Sequence, residues 1–121
     1  MFPKLIKRAE RTNEGFSVLV VDVNDLKKVN DSHGHIAGDE VIRYIAHTLL
    51  VCTRKYDFVT RWGGDEFVIL APGTDQVEAL RMTDRITENL HTIKIHNGYQ
   101  LKPTVSVGTQ CTLSTVKHLT I

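Results

Sequence analysis

No stretch of this chain is apolar for long enough to cross a bilayer, and the N-terminus, MFPKLIKRAER, has no secretory h-region. An excess of one charge sign is lacking too. Fifteen Lys and Arg face fourteen Asp and Glu, so no overall field argues for duplex nucleic acid or a membrane surface as a partner. Cysteine is scarce: Cys52 and Cys111 have no framework spacing, which excludes a disulfide scaffold and fits a reducing cytoplasm. Six histidines are present, but none falls at zinc-ligand spacing. Repeats, low-complexity tracts and linkers are missing as well. What remains is ordinary for a globular protein, 41% hydrophobic and 24% charged. At 121 residues the chain is long enough for one domain with a real core and too short for two.

Against that background RWGGDEFVIL, Arg61 to Leu70, stands out. Phe58 and Val59 precede it, Phe67 to Leu70 is a strand-forming run, and Gly63-Gly64 lies between them. The pair predicts a two-residue type I′ hairpin, whose central positions both need positive φ. Asp65 and Glu66 follow at once. A strand bound for the core has no packing reason to begin with two acids. The turn therefore reads either as an exposed tip with solvated carboxylates or as a device that holds negative charge in a fixed place.

Upstream, Phe2, Leu5, Ile6 and Ala9 recur at helical spacing and predict an amphipathic helix near the start of the chain. FSVLVVDV, Phe16 to Val23, is a nearly continuous apolar run, the pattern of a strand buried on both faces at the centre of a sheet. Asp22 lies near its end, where a carboxylate is costly unless something positive meets it. It reads as a metal ligand or as a helix cap, a task that Asn24 or Asp25 would do better. Leu26 and Val29 suggest a short helix. NDSHGHIAGDE, Asn30 to Glu40, is dense in turn formers and reads as a loop, with Asp39 and Glu40 complementing the N-terminus of the next helix. Its amide, imidazole and carboxylate also suit the edge of a nucleobase. Val41, Ile42, Ile45, Ala46, Leu49 and Leu50 form a helical core stripe. Beyond the hairpin, Ala79, Met82, Ile86, Leu90 and Ile93 line one side of a third helix. HNGYQ, His96 to Gln100, is a turn or short hairpin, and PTVSVGTQ, Pro103 to Gln110, alternates as a strand with Val105 and Val107 on one face. The order predicts an α/β (α+β) sandwich: a palm-like split βαβ sheet, mainly antiparallel and covered by helices, with the hairpin at the active site.

These residues resemble the GGDEF family, the diguanylate cyclases. The signature stands letter for letter as Gly63-Gly64-Asp65-Glu66-Phe67. The family's upstream block is matched in register by Asp22, Lys27, Val29-Asn30-Asp31, Gly34-His35 and Gly38-Asp39, and VSVG, Val105 to Gly108, is similar to the family's TVSIG strand. The resemblance implies condensation of two GTP into cyclic di-GMP and pyrophosphate, by attack of a ribose 3′-hydroxyl on an α-phosphate. It implies that Asp22, the backbone carbonyl of Val23 and Asp65 hold Mg²⁺ (or Mn²⁺), and that Asp65 and Glu66 are catalytic. Asn30, His35, Asp39, Gly63 and Gly64 are implied as substrate contacts. Asp39 can accept from guanine N1–H and the exocyclic amine, which adenine does not offer on that edge, so it argues for GTP over ATP. His35 reads equally as a hydrogen bonder that locks its loop. Arg54-Lys55-Tyr56-Asp57 matches the family's RxxD inhibitory site for cyclic di-GMP; taken alone it is an exposed Arg–Asp pair, which is common and weak. Family members act as cytoplasmic homodimers with one GTP in each subunit, so an isolated domain is expected to depend on weak self-association.

Three features depart from the family pattern. No DxLTGLxNR-like run precedes the first helix, no AxxALYxAKxxGRN-like basic helix follows Gly108, and Asn24 stands where many members carry a second acid. Residues 1–121 are therefore expected to be a single GGDEF domain, either a fragment of a longer regulated protein or a minimal member. Its β- and γ-phosphate contacts are unassigned, and Lys117 does not align to them. Two other readings remain: a module of little or no turnover that binds GTP or cyclic di-GMP as an effector, and a miniature palm-type synthase of another cyclic oligonucleotide, against which Asp39 weighs.

Overall fold

The valine-rich run Phe16–Val23 forms β1, and both of its edges are taken, by β3 (Glu66–Pro72) on one side and β6 (Val105–Thr112) on the other. A computed structural model describes residues 15–112; the helix expected around Phe2 to Ala9, and Lys117, lie outside the described residues. Strand β2 (Phe58–Arg61) pairs with the outer edge of β3, giving the order β2-β3-β1-β6 with every neighbouring pair antiparallel. Helices α1 (Leu26–His33) and α2 (His35–Cys52) connect β1 to β2. Helix α3 (Gln76–Glu88) and a small hairpin, β4 (Ile93–Lys94) with β5 (Gln100–Leu101), connect β3 to β6. Strands β1 and β2 thus run in the same direction with β3 between them, the split βαβ unit that the sequence predicts.

The main core lies on one face of the sheet. Leu19, Val21 and Val23 of β1 and Phe67, Ile69 and Ala71 of β3 alternate onto one face and share a core with Val41, Ile45 and Leu49 of α2 and Ala79, Met82 and Ile86 of α3. Burying each large side chain is worth ~1.5–3 kcal/mol, so the register is fixed: a slip of one residue would turn Leu19 and Val21 outward. On the other face Phe16 is buried, with Leu70 and Val68 of β3 buried beside the half-buried Val18 and Val20, and only Asp22 is exposed, so the expected burial on both faces holds along the strand and ends at Asp22.

Other local expectations change. Asn30 to Glu40 is not a loop. Helix α1 runs through His33, α2 begins at His35, and Gly34 between them sits at φ 88°, a conformation that favours glycine. Asp39 and Glu40 therefore fall in the second turn of α2, past the first-turn amides they were expected to complement. Leu50 leaves the core stripe and is exposed, because the buried row of α2 passes through Leu49 and Cys52 and the next residue lies ~100° round the helix. Helix α3 stops short of Leu90 and Ile93. The Asn89 side-chain amide and backbone N–H both donate to the Arg85 carbonyl, at 2.7 and 3.1 Å, and satisfy its last turn. Leu90 is buried beyond the helix, and Ile93 belongs to β4. The hairpin expected at HNGYQ is present, and Val105 and Val107 both pack against the core.

Candidate active site

Residues 62–65 connect β2 to β3, so the turn is longer than the Gly-Gly pair suggests. Neither Gly63 nor Gly64 takes positive φ, which corrects the type I′ expectation. The amides of Trp62 and Gly63 both donate to the Glu66 carbonyl, at 2.8 and 3.2 Å. The Arg61 guanidinium donates to the carbonyls of Gly63 (3.2 Å) and Gly64 (2.6 Å). The Asp65 carbonyl accepts from the Val23 N–H of β1 at 2.8 Å, one rung beyond the Asp22–Glu66 pair. That bond ties the two sequence motifs together.

Asp22 stands directly across from Glu66 in the β1–β3 register, and Asp65 adjoins Glu66. Like charges placed opposite each other weaken a strand pair by ~0.2–1 kcal/mol, so this register is unfavourable without a cation nearby. Among the described residues no group of three or more His, Cys, Asp or Glu converges to cage a metal. The donor set still fits Mg²⁺, which keeps several waters and takes one or two carboxylates together with phosphate oxygens. It does not fit a resident structural zinc, which needs four ligands. Asn24 and Asp25 do not cap α1. The Asn24 side chain donates to Thr104 Oγ1 (3.1 Å) and accepts from Ser106 Oγ (2.9 Å), while Asp25, at the N-cap with φ 59°, makes no side-chain cap bond.

A cleft of about 350 Å³ opens between α1, α2 and the hairpin tip. Asn30, His35, Asp39, Gly64 and Asp65, all singled out from sequence, share its lining. His35 and Asp39 lie four residues apart on one face of α2, and Asn30 faces them from α1. The Asn30 Oδ1 is buried and has no partner among the described residues. A Cβ on Gly38 would overlap it, so the absent side chain at Gly38 is what lets the amide lie there. Lys27 and Arg61 bring positive charge to the same lining, and Leu26 and Ile42 bring apolar surface. Sequence reasoning gives neither cation a role: Lys27 is matched to the family's upstream block without one, and the only signal for Arg61 is its place two residues before the first signature glycine.

Arg54 and Asp57 are elsewhere. Arg54 reaches the Pro72 carbonyl at 3.3 Å, and Pro72 pairs with Phe16 whereas Glu66 pairs with Asp22. Six residues of strand separate the two ends, ~20 Å. The pair is also no loose surface contact. Asp57 Oδ2 accepts from the Arg54 backbone N–H (2.7 Å) and from Nε (3.5 Å), the guanidinium also bonds Thr74 Oγ1, and its carbon lies 4.9 Å from the Tyr56 ring centroid. The Asp57 side chain is fully buried, and its Oδ1 has no partner among the described residues. Among the described residues, two titrating groups outside the cleft are perturbed. The His96 backbone N–H, 3.0 Å away, holds the Glu40 carboxyl below its ordinary value, and burial pushes the Cys52 thiol up. No described helix is long and apolar enough to cross a membrane.

The model of the family described as "Diguanylate cyclase, GGDEF domain" matches residues 1–120. Diguanylate cyclase DosC of Escherichia coli K12 is 36% identical over 110 residues, and the response regulator PleD of Caulobacter vibrioides is 37% identical over 111. Each match covers 89% of this chain and 24% of the relative, so the chain spans about a quarter of the length of these curated proteins. Among solved structures, the GGDEF domain of YfiN (TpbB) from Pseudomonas aeruginosa superposes with a TM-score of 0.85 at 31% identity, covering 91% of this chain and 65% of that one. The GGDEF domain of DgcB from Caulobacter crescentus, solved in complex with c-di-GMP, superposes with a TM-score of 0.84 at 26% identity, covering 90% and 66%. Two motifs far apart in sequence meet at one strand end and one cleft, on a fold shared with those domains, and the chain belongs to the GGDEF diguanylate cyclase domain family.

Proposed function

We propose that this domain joins two GTP into cyclic di-GMP with release of two pyrophosphates. The observation that carries the reading is the junction of β1 with the hairpin tip, where Asp22 opposes Glu66 and Val23 bonds Asp65 beside a cleft lined by Asn30, His35 and Asp39. Asp39 accepts from guanine N1–H and the exocyclic amine, the unpartnered Asn30 Oδ1 supplies a second acceptor, and His35 closes the same end. Adenine would leave both acceptors unpaired, the exposed Asp39 carboxylate and the buried Asn30 Oδ1, which disfavours ATP. A Cβ at Gly64 would meet nothing within 4 Å, and one at Gly63 only the Glu66 Cβ at 3.8 Å. The protein itself has room for side chains at both, and the glycines leave that space to the phosphates. Lys27 and Arg61 face the negative charge of the triphosphate.

Asp22, the Val23 carbonyl and Asp65 would hold Mg²⁺ or Mn²⁺, with Glu66 beside them. When bound, the ion polarises the phosphate oxygens and neutralises charge on the departing pyrophosphate. The 3′-oxygen of one ribose forms a bond to the α-phosphorus of the other GTP as the bond to the β-phosphate oxygen breaks. The hydroxyl proton passes to a carboxylate of the tip, Asp65 or its neighbour Glu66. The reverse attack closes the ring.

A cleft of this volume is at the small end for ligand sites and suits one nucleotide, so the second is brought by a facing copy of the domain. Arg54 and Asp57 form the inhibitory site for the product, offering the exposed part of the Arg54 guanidinium over Tyr56. The domain works in the cytoplasm, where GTP is made and where its two free cysteines stay reduced.

Incubation with GTP and Mg²⁺, followed by ion-exchange chromatography, tests the proposal. A cyclic di-GMP peak with two pyrophosphates per product is expected, at a specific rate that rises with enzyme concentration. Binding of GTP without product would move the chain to the effector reading, and mixed products from GTP with ATP would move it to another cyclic oligonucleotide synthase.

A further inference from the structure

The helix that carries Asn30 is weakly held by the core. Helix α1 has no fully buried residue; only Leu26 and Val29 pack against the core, and both are partly exposed. Its C-terminal end meets α2 at Gly34, a single non-helical residue. The β4–β5 hairpin, by contrast, is firmly seated. Ile95 is buried, and Ile93 and Leu101 pack on the core. Its turn is closed by bonds from the Ile95 N–H to the Tyr99 carbonyl (3.0 Å) and from the Gly98 N–H to the Ile95 carbonyl (2.9 Å). Gly98 sits at φ 84°, where another residue would be strained.

From this seat the turn reaches both helices. Glu40 of α2 accepts at Oε1 from the His96 N–H (3.0 Å) and pairs with His96 Nδ1 (2.6 Å). His33, the last residue of α1, bonds the Asn97 side chain at 3.2 Å and packs against the Tyr99 ring, with centroids 4.4 Å apart. Glu40 follows Asp39, and His33 lies three residues after Asn30 and two before His35.

We propose that the β4–β5 hairpin is a latch that holds the α1–α2 joint, and with it Asn30, His35 and Asp39, in the arrangement that accepts a guanine base. Its positioning residues are His33, Glu40, His96 and Tyr99, none of which lines the cleft. The proposal deepens the functional reading above and rests on it, because it assumes that the cleft takes GTP.

The test uses Tyr99→Ala, His33→Ala, the double variant and Tyr99→Phe, each in the full-length protein. Two quantities are measured: the affinity for 3′-deoxyguanosine triphosphate, which cannot be condensed, and hydrogen exchange across residues 30–40. Loss of a ring contact and a hydrogen bond at the joint is expected to weaken binding ~5–10-fold. The kcat at saturating GTP should stay within about twofold, since uniform binding is what changes. The double variant should be no worse than the more damaging single, and Tyr99→Phe, which keeps the ring, should bind like wild type. Exchange should quicken across residues 30–40 and stay unchanged in β1 and β3. Unchanged affinity and exchange in Tyr99→Ala, or exchange quickened throughout the chain, overturns the latch. Failure of the wild type to bind the analogue overturns the GTP reading instead, and the exchange pattern then judges the latch by itself.

Discussion

Replacing Gly38 with alanine separates what the fold needs from what the cleft needs. In most helices the change is favourable: alanine is better than glycine by ~1 kcal/mol in a helix interior. Here the new Cβ would overlap Asn30 Oδ1 and come to 2.9 Å from Cγ. The atoms in the way belong to the end of a side chain, and that oxygen has no partner to lose among the described residues. The amide can therefore swing out, at a cost of ~0.5–1.5 kcal/mol for a poorer rotamer. The two effects nearly cancel, and Tm should move by less than ~5 °C. GTP binding should not survive so well. The swung amide no longer offers its acceptor at the nucleobase end, and a methyl group enters the cleft. A weakening of ~10–100-fold is expected. Differential scanning calorimetry with isothermal titration of 3′-deoxyguanosine triphosphate reads both quantities on one sample. Unchanged nucleotide affinity would refute the role of Asn30. A fall in Tm well beyond that range would show that α2 moves away from α1 instead of the amide giving way.

Changes at the strand end, at the distant Arg–Asp tie and at the latch give three further expectations. Asp22→Asn relieves the opposition to Glu66 and should raise stability without metal by ~0.2–1 kcal/mol, while the thermal shift that Mg²⁺ with GTP gives the wild type disappears; an unaltered shift would remove Asp22 from the metal site. Arg54→Ala strips the buried Asp57 carboxylate of one partner and cuts the bonds to Pro72 and Thr74, so urea denaturation should report a loss of ~1–3 kcal/mol; GTP affinity of the folded fraction should hold, and loss of that affinity would contradict the ~20 Å separation from the cleft. Glu40 has a folded pKa below its ordinary 4.5, owing first to the His96 backbone N–H. Its stabilising effect is therefore complete above that value and lost as pH falls through the lowered one. The stability gap between wild type and Glu40→Gln, followed by urea denaturation across acid pH, should be constant near neutrality and close on acidification. A gap that widens in acid would reverse the sign of the argument.

Much was legible because it depends on local chemistry. The valines of Phe16–Val23 specify a strand whatever surrounds them, and the stripe from Val41 to Leu49 specifies a buried helix face. The acids at Asp22, Asp65 and Glu66 are conspicuous because apolar strands gain nothing from them. The misreadings came from the same locality. Turn-forming residues between Asn30 and Glu40 suggest a loop, but packing of α1 on α2 makes helix of all but Gly34. Gly63-Gly64 suggests a tight two-residue turn, but four residues, 62–65, join the strands.

By itself, then, the sequence determined most of the element types and the family, since these follow from side-chain periodicity and from motif spacing along the chain. Only the tertiary structure decided that Asp22 faces Glu66, that Asn30 lies against Gly38, that Lys27 and Arg61 share the cleft, and that Arg54 binds the far end of the sheet. Those facts belong to pairs of residues distant in the chain. Strand register and helix packing bring them together, and no pattern along one segment encodes a distance to another.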